Sequence, residues 1–309
     1  MNRRVVLGLA LCTALLMGGA WLVFERTVHR PAPAPAAVIP AVTPAPARLE
    51  SESEAIVEAV EGPVQRSEDG GWSALAVGDR LRADDSLRTG NGARADLRIG
   101  EKSRIAVSQA SQLTIRELSE KVHRFKLTRG YVRVDYAPDG ERVLRIEGEG
   151  NGAVAETRSA KFSVLSTGRA IAIAADAGSV ELKAQGARVT VAAGEQAVAR
   201  SGEKPDAPKP IPPALWLKVA NALPVVPDGV CAEVTGSAPA GSEVTADGRD
   251  VDLAADGSFS AQVPGEPGKS EVLVAIRDPA GRTANRKVPC GGPTGGVQDV
   301  ALRWRSKAQ

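Results

Sequence analysis

From about Ala55 to Arg200, apolar and polar side chains alternate in strand after strand, and no stretch keeps a convincing helical period. Alternation at period two puts one set of side chains on each face of a sheet, so the region must form sheets with one wet face. Ala55 to Val60, Ala95 to Ile99, Tyr131 to Asp135 and Val143 to Ile146 are clear runs. Gly62-Pro63, Asp69-Gly70-Gly71, Gly90-Asn91-Gly92, Asp139-Gly140 and Gly148 to Gly152 separate the runs with turn chemistry. Many short strands must bury one face against another sheet, which predicts a mainly β, antiparallel, jelly-roll-like domain. Its expected core is Trp72, Leu75, Leu97, Ile105, Leu113, Phe125, Leu127, Phe162 and Val164.

Upstream, Val5 to Phe24 holds no charge, and Arg3 and Arg4 precede it. As a helix this stretch spans about 30 Å, the thickness of bilayer hydrocarbon. The two arginines predict a cytoplasmic stub at 1–4, a signal anchor at 5–24 and export of the rest from an inner membrane. Arg26 and Arg30, on the far side, weaken that rule. The alternative is secretion after cleavage near Gly18-Gly19-Ala20, although Trp21-Leu22-Val23-Phe24 continues the apolar run beyond it. Cys12 reads as a membrane residue rather than a lipidated one, because Leu11 beside it is too large for a lipoprotein box.

Residues 25–54 read as a linker. Pro31 to Arg48 is a proline/alanine tract that cannot build a core and could extend about 55 Å as polyproline II. A second linker, 201–224, contains Ala214 to Leu223, where Leu215, Val219 and Leu223 could share one side of a short helix. A second β-domain is expected over 225–290, with turns such as Asp256-Gly257-Ser258 and Asp278-Pro279-Ala280-Gly281, followed by a tail at 291–309. In the tail Val300, Leu302 and Trp304 suit one more strand, pairing in cis or in trans. Cys231 and Cys290 bracket the second domain. In an exported chain such a pair is expected to form a disulfide, whose loop of about 60 residues contributes roughly 4 kcal/mol in the chain-entropy model.

The chain carries little that points to catalysis. Its 39 basic and 37 acidic residues nearly balance, and aromatics are 3% of 309 residues, so a nucleic-acid-binding surface is not expected. The two histidines, His29 and His123, lie in no metal-ligand spacing, and His123 reads as a surface residue. No nucleophile elbow or P-loop occurs, and no cofactor is implied. Asp84-Asp85 and Glu147/Glu149 are paired acids, but neighbours in sequence do not establish the cross-cleft pair a glycosidase needs. Asp247, Asp250, Asp252 and Asp256 miss the spacing of a calcium loop. Lys121, His123, Arg124 and Lys126 form a small basic cluster that fits a solvated hairpin.

Several strings together resemble the FecR-type periplasmic domain. They are Gly62-Pro63-Val64, Trp72, Leu75 and Gly78, Leu87-Arg88-Thr89-Gly90-Asn91-Gly92-Ala93-Arg94-Ala95 and Ser111-Gln112-Leu113. Leu127 to Val132, Lys161 to Val164, Ala177 to Val180 and Ala193 to Gln196 complete the set. Within it, Leu87, Arg88, Thr89 and Gly90 are expected to hold a hydrogen-bonded structural turn. Gly100 to Ser103 and Ser159-Ala160 depart from the family's turns. The second domain looks like a bacterial Ig-like module, a likeness carried by Gly236 to Ser242 and its Asp/Gly turns.

The resemblance implies transmembrane signalling, since FecR-family regulators couple an outer-membrane receptor to a sigma factor through a cytoplasmic segment. Here only Met1 to Arg4 precedes the helix, too short for an interface of about 20 residues a side, so no sigma factor is expected to bind directly. The leading expectation is a non-catalytic, membrane-anchored envelope protein that binds or scaffolds an envelope protein or peptidoglycan. The alternatives are FecR-type signalling through a partner and, least favoured, a glycan-active enzyme.

Overall fold

The computed structural model describes residues 54–68, 70–138, 140–150, 152–220, 223–224, 231–263 and 271–289. The apolar run Val5 to Phe24, the proline/alanine linker, Cys290 and the tail lie outside these residues. Among the described residues, no helix is long and apolar enough to cross a membrane.

The first region begins with β1 (Ala55–Glu61), β2 (Val64–Glu68), β3 (Gly71–Ala74), β4 (Arg80–Leu81) and β5 (Ser86–Thr89). Then come β6 (Arg94–Ile99), β7 (Ser103–Val107), β8 (Gln112–Leu118), β9 (Val122–Tyr136) and β10 (Val143–Gly148). It closes with β11 (Val154–Thr157), β12 (Ala160–Ser166), β13 (Ala170–Ala184), β14 (Ala187–Ala192), β15 (Glu195–Arg200) and β16 (Lys209–Pro210). Pairing arranges them as two sheets. Sheet A runs β4-β1-β6-β7-β9-β12-β13-β15-β16, and sheet B runs β3-β2-β5-β8-β9-β10-β11-β13-β14.

Two 15-residue strands belong to both sheets. The first half of β9 pairs with β8 and β10 in sheet B; its second half pairs with β7 and β12 in sheet A. In β13 the order is reversed, with β12 and β15 first, then β11 and β14. Each crossing has a glycine at positive φ, Gly130 at 96° and Gly178 at 75°. A side chain there would meet backbone: a Cβ on Gly130 would lie 2.5 Å from Ser111 Cα, and one on Gly178 would lie 2.7 Å from Ser159 O. Glycine thus lets a strand bend from one sheet into the other where the backbones come closest.

The crossing also corrects the all-antiparallel expectation. β10 runs parallel to the first half of β9, with Val143 opposite Val122 and Gly148 opposite Leu127. A parallel pair needs a long connection, and the second half of β9 supplies it by leaving for sheet A before the chain returns.

Between the sheets lies one apolar core, with Phe125, Leu127, Val134, Phe162, Ile173 and Leu182 among its members. Of the core residues expected from sequence, Trp72 departs. It is 37% exposed on β3, an edge strand paired only with β2, so it has no opposing sheet to bury it. His123 departs in the other direction: it is 2% exposed, because alternation along β9 turns it inward with Phe125 and Leu127.

The second region contains β17 (Lys218–Val219), β18 (Leu223–Pro224), β19 (Cys231–Ser237), β20 (Glu243–Ala246) and β21 (Arg249–Val251). After these follow β22 (Ser258–Gln262), β23 (Glu271–Arg277) and β24 (Thr283–Pro289). One sheet sets β17 and β18 on one side of β19 and β22 on the other; the second runs β21-β20-β23-β24. Leu215, Val234, Val244, Phe259, Val272 and Ile276 belong to their shared core.

The described part of Ala214 to Leu223 holds no helix. Leu215 and Val219 are four apart, a spacing that fits one face of a helix and one face of a strand equally. Leu217 decides between them: it is buried with the other two, which is the strand period.

Candidate interaction face at the junction of the two β regions

Leu87, Arg88 and Thr89 form the end of β5, and Gly90 follows. Leu87 is buried in the core. The Thr89 hydroxyl donates to Ser108 O at 2.5 Å and accepts from the Ser111 amide at 2.9 Å, tying β5 to the approach to β8. The Gly90 amide donates to Pro63 O at 2.9 Å, and a Cβ on Gly90 would lie 2.9 Å from Pro63 Cγ. Arg88 points outward, donating to Gln65 Oε1 at 2.8 Å and covering the Trp72 ring at 4.1 Å. Cys231 starts β19, while its expected partner Cys290 falls outside the described residues.

The acids singled out from sequence are engaged separately. Asp84 faces Arg116 at 3.5 Å, and Asp85 accepts from the Arg82 amide at 2.7 Å. Glu147 faces Arg124 at 3.5 Å, and Glu149 faces Lys126 at 2.7 Å. Asp247 accepts from the Leu273 amide, Asp256 binds Ser258, and Asp250 and Asp252 pair with Arg129 and Arg169. Among the described residues no group of His, Cys, Asp and Glu has the arrangement of a metal site. The basic cluster is divided too: Arg124 and Lys126 face carboxylates across the sheet, whereas His123 turns into the core.

Buried His123 keeps its imidazole neutral. Burial, reinforced by the positive charge of Arg142, pushes it down to about 4, and its Nδ1 lies 3.2 Å from the Tyr136 hydroxyl. Burial also raises Tyr136, so this pair stays uncharged inside the sandwich.

Sheet A is covered on its outer face as well. Along β12 and the first half of β13, burial does not alternate: Phe162 to Ser166 and Ile171 to Ala175 are buried throughout. Phe162, Val164, Ile171 and Ile173 face the core, and Ser163, Leu165, Ala172 and Ala174 face the second region. Tyr131, Leu165, Ala172 and Val198 form a separate small apolar cluster there. Gly241 of the second region comes so close that a Cβ on it would lie 2.5 Å from Val198 Cγ2 and 3.0 Å from Ala172 Cβ.

The turn Asp278-Pro279-Ala280-Gly281 sits on the same face. The Ser163 hydroxyl donates to Pro279 O at 2.6 Å, and Arg133 donates to Ala280 O at 3.3 Å. Gly281, at φ 84°, lies against the Tyr131 hydroxyl, where a side chain would overlap it. Asp278 braces the turn by accepting from the Arg282 amide at 2.8 Å and its Nε at 2.7 Å. Around the rim, Arg129 meets Asp250 at 2.6 Å and Arg169 meets Asp252, while within the second region Arg277 approaches Glu243 at 3.6 Å. Burial raises the Glu243 carboxyl, against the pull of Arg277. Two clefts flank the contact, of about 470 Å³ beside Arg169 and Ser242 and about 770 Å³ beside Arg129, Glu243 and Arg277.

Sequence alone left this junction unnoticed. Its signal was the run Ala170-Ile171-Ala172-Ile173-Ala174-Ala175, apolar at every position in a region that otherwise alternates.

These features define a mainly β protein whose two regions meet on one doubly covered sheet. Residues 85–181 of the chain match the FecR protein family, a span from just before β5 into β13 that includes both crossing glycines. Two crystal structures of a candidate anti-sigma factor from Parabacteroides distasonis ATCC 8503 are similar, at 11% and 12% identity and a TM-score of 0.36. Each likeness covers 40% of this chain and 59% of the other, so the chain spans less than two thirds of the proteins it resembles. No curated protein matches.

Proposed function

We propose that the chain is a non-catalytic component of FecR-type transmembrane signalling that acts through a partner protein, with its β regions displayed outside the cytoplasm. The FecR match over residues 85–181 carries this reading. It covers the strands that give the first region its topology, rather than a short motif. The acids Asp84, Asp85, Glu147 and Glu149 each have a separate partner, which lends the glycan-active alternative no support. The membrane anchor at Val5 to Phe24 and the Cys231–Cys290 disulfide belong to the same proposal. The β17/β18-β19-β22 and β21-β20-β23-β24 sheets support reading the second region as Ig-like.

Deleting the gene and profiling transcripts tests the reading. The expected result is altered expression of one set of genes under a single alternative sigma factor, restored by the intact chain. An unchanged transcript profile, together with sedimentation of the purified chain on peptidoglycan, would instead favour a cell-wall scaffold. Peptide mapping without reductant checks the disulfide: a Cys231–Cys290 cross-linked peptide is expected, and free thiols at both positions remove that element.

A further inference from the structure

The contact between the two regions is incompletely satisfied in its polar part. On the first region's side its hydrophobic cluster is Tyr131, Leu165, Ala172 and Val198. Among the described residues, Tyr131 Oη and Ser242 Oγ are buried there without a hydrogen-bond partner. Such atoms weigh against a contact rather than for it. The rim pairs Arg129–Asp250 and Arg169–Asp252 are largely solvent-exposed and add little hold. The flanking clefts leave the contact open on both sides. A permanent interface is better filled; this one has the character of a separable contact.

What the face of sheet A recognises is nonetheless specific. Ser163 and Arg133 bind the carbonyls of two consecutive residues, Pro279 and Ala280, and the Tyr131 hydroxyl admits only glycine at the fourth position of the turn. All three contacts read the shape and backbone of a tight turn rather than its side chains.

We propose that the second β region is a displaceable cap on sheet A, seated by its Asp278–Gly281 turn, and that the notch at Tyr131, Arg133 and Ser163 is a docking site for a tight turn of a partner protein. Such a turn presents two adjacent carbonyls outward and carries glycine in the place of Gly281. Small outward residues, Ala172 and Ala174, let a backbone approach the sheet closely. The proposal deepens the signalling reading and rests on it for the presence of a partner, but its test requires no signalling protein.

The full chain carrying Ser163→Cys reports on the notch through maleimide labelling, with the site identified by mass spectrometry. Ser163 is 1% exposed, so slow labelling is expected. Adding Gly281→Val forces a side chain against Tyr131, and labelling should accelerate about tenfold or more as the cap lifts. An unchanged rate overturns the cap. A chain with Ile173→Cys, facing the core from β13, separates lifting from unfolding, because it stays unreactive if only the cap moves.

If Gly281→Val also exposes Ile173→Cys, the double variant Asp250→Ala, Asp252→Ala takes its place. Both residues are exposed, so the fold is retained, and labelling at Ser163→Cys should rise about twofold; no rise overturns the cap. A disulfide-closed hairpin peptide with the sequence of Arg277–Thr283 is then added at millimolar concentration to the opened chain, where the tethered turn no longer outcompetes it. Restored protection by this peptide, and none by its Gly→Val version, is expected. Labelling that stays fast with the parent peptide overturns the docking site.

Discussion

The first region is stitched together by strands that belong to both of its sheets, whereas the second consists of two sheets that share no strand. In the first, β9 and β13 pass from one sheet to the other at Gly130 and Gly178, so the sheets cannot part without breaking a strand. In the second, no described strand is shared, and the sheets pack around a core in which Phe259 is the one buried aromatic among the described residues. The difference teaches where each is vulnerable: the first through its backbone, the second through its packing and its seat on sheet A.

The strongest way to break that contrast is Gly130→Ala. The variant places a Cβ against the Ser111 backbone and forces a left-handed φ on alanine. Strain and overlap together should cost on the order of 5 kcal/mol. Denaturant unfolding of the full chain measures it, and Gly178→Ala should act in the same direction. A midpoint shift no larger than that of a surface substitution would show that the crossings do not hold the sheets together.

Phe259→Ala tests the second half. It empties the centre of the smaller core and should cost about 3–4 kcal/mol. Because no strand runs from one region into the other, the second region should melt first, leaving the first folded. Calorimetry then shows two transitions. A single transition at lower temperature would mean that the junction couples the regions into one cooperative unit.

pH separates the regions by sign. His123, in the first, is held down to about 4 from 6.5 by burial and by Arg142. The folded state therefore binds fewer protons than the unfolded chain, and stability present above pH 6.5 is lost as pH falls toward 4. At about 1.4 kcal/mol per unit this amounts to about 3 kcal/mol. Glu243, in the second, is raised by burial, so the folded state binds more protons and stability falls as pH rises from the ordinary carboxylate range through the raised value. Unfolding curves between pH 6.5 and 4.5 should show the first region weakening on acidification, and His123→Gln should flatten that slope. A slope unchanged in the variant would assign it to other groups.

Much of this was legible in the sequence, and the exceptions have physical causes. Period-two alternation fixes which residues of β6, β8 and β10 face the core, because one face is wet and one is dry. The crossings were not legible, because a glycine at a sheet-to-sheet bend looks like a glycine in a turn; only pairing partners reveal that β9 and β13 continue through it. The buried histidine was hidden by composition, since Lys121, Arg124 and Lys126 around it read as a wet hairpin although alternation already turned His123 inward. Trp72 failed in the other direction: its size suggested core, but an edge strand without an opposing sheet leaves even tryptophan in water. The Leu87–Gly90 string owes its spacing to hydrogen bonds from Thr89 and Gly90 that cross to Ser108, Ser111 and Pro63, partners too distant in sequence for local pattern to show.

The smallest expected effect concerns the edge at Trp72. Arg88 covers that ring from β5, two strands away across β2, and is also fixed by Gln65 on the strand between them. An exposed cation over an indole contributes about 0.5–1 kcal/mol. Arg88→Ala should therefore destabilise the first region by less than about 1 kcal/mol, with no change in the second. A double-mutant cycle with Trp72→Ala isolates the contact, since each single variant removes it and leaves the strand pairing intact. Coupling of about 0.5 kcal/mol or more would show that an edge without an opposing sheet is held by side chains, as the second region is. Strict additivity would leave backbone pairing as what secures β3, and the contrast between stitched and packed regions would then extend to the margin of sheet B.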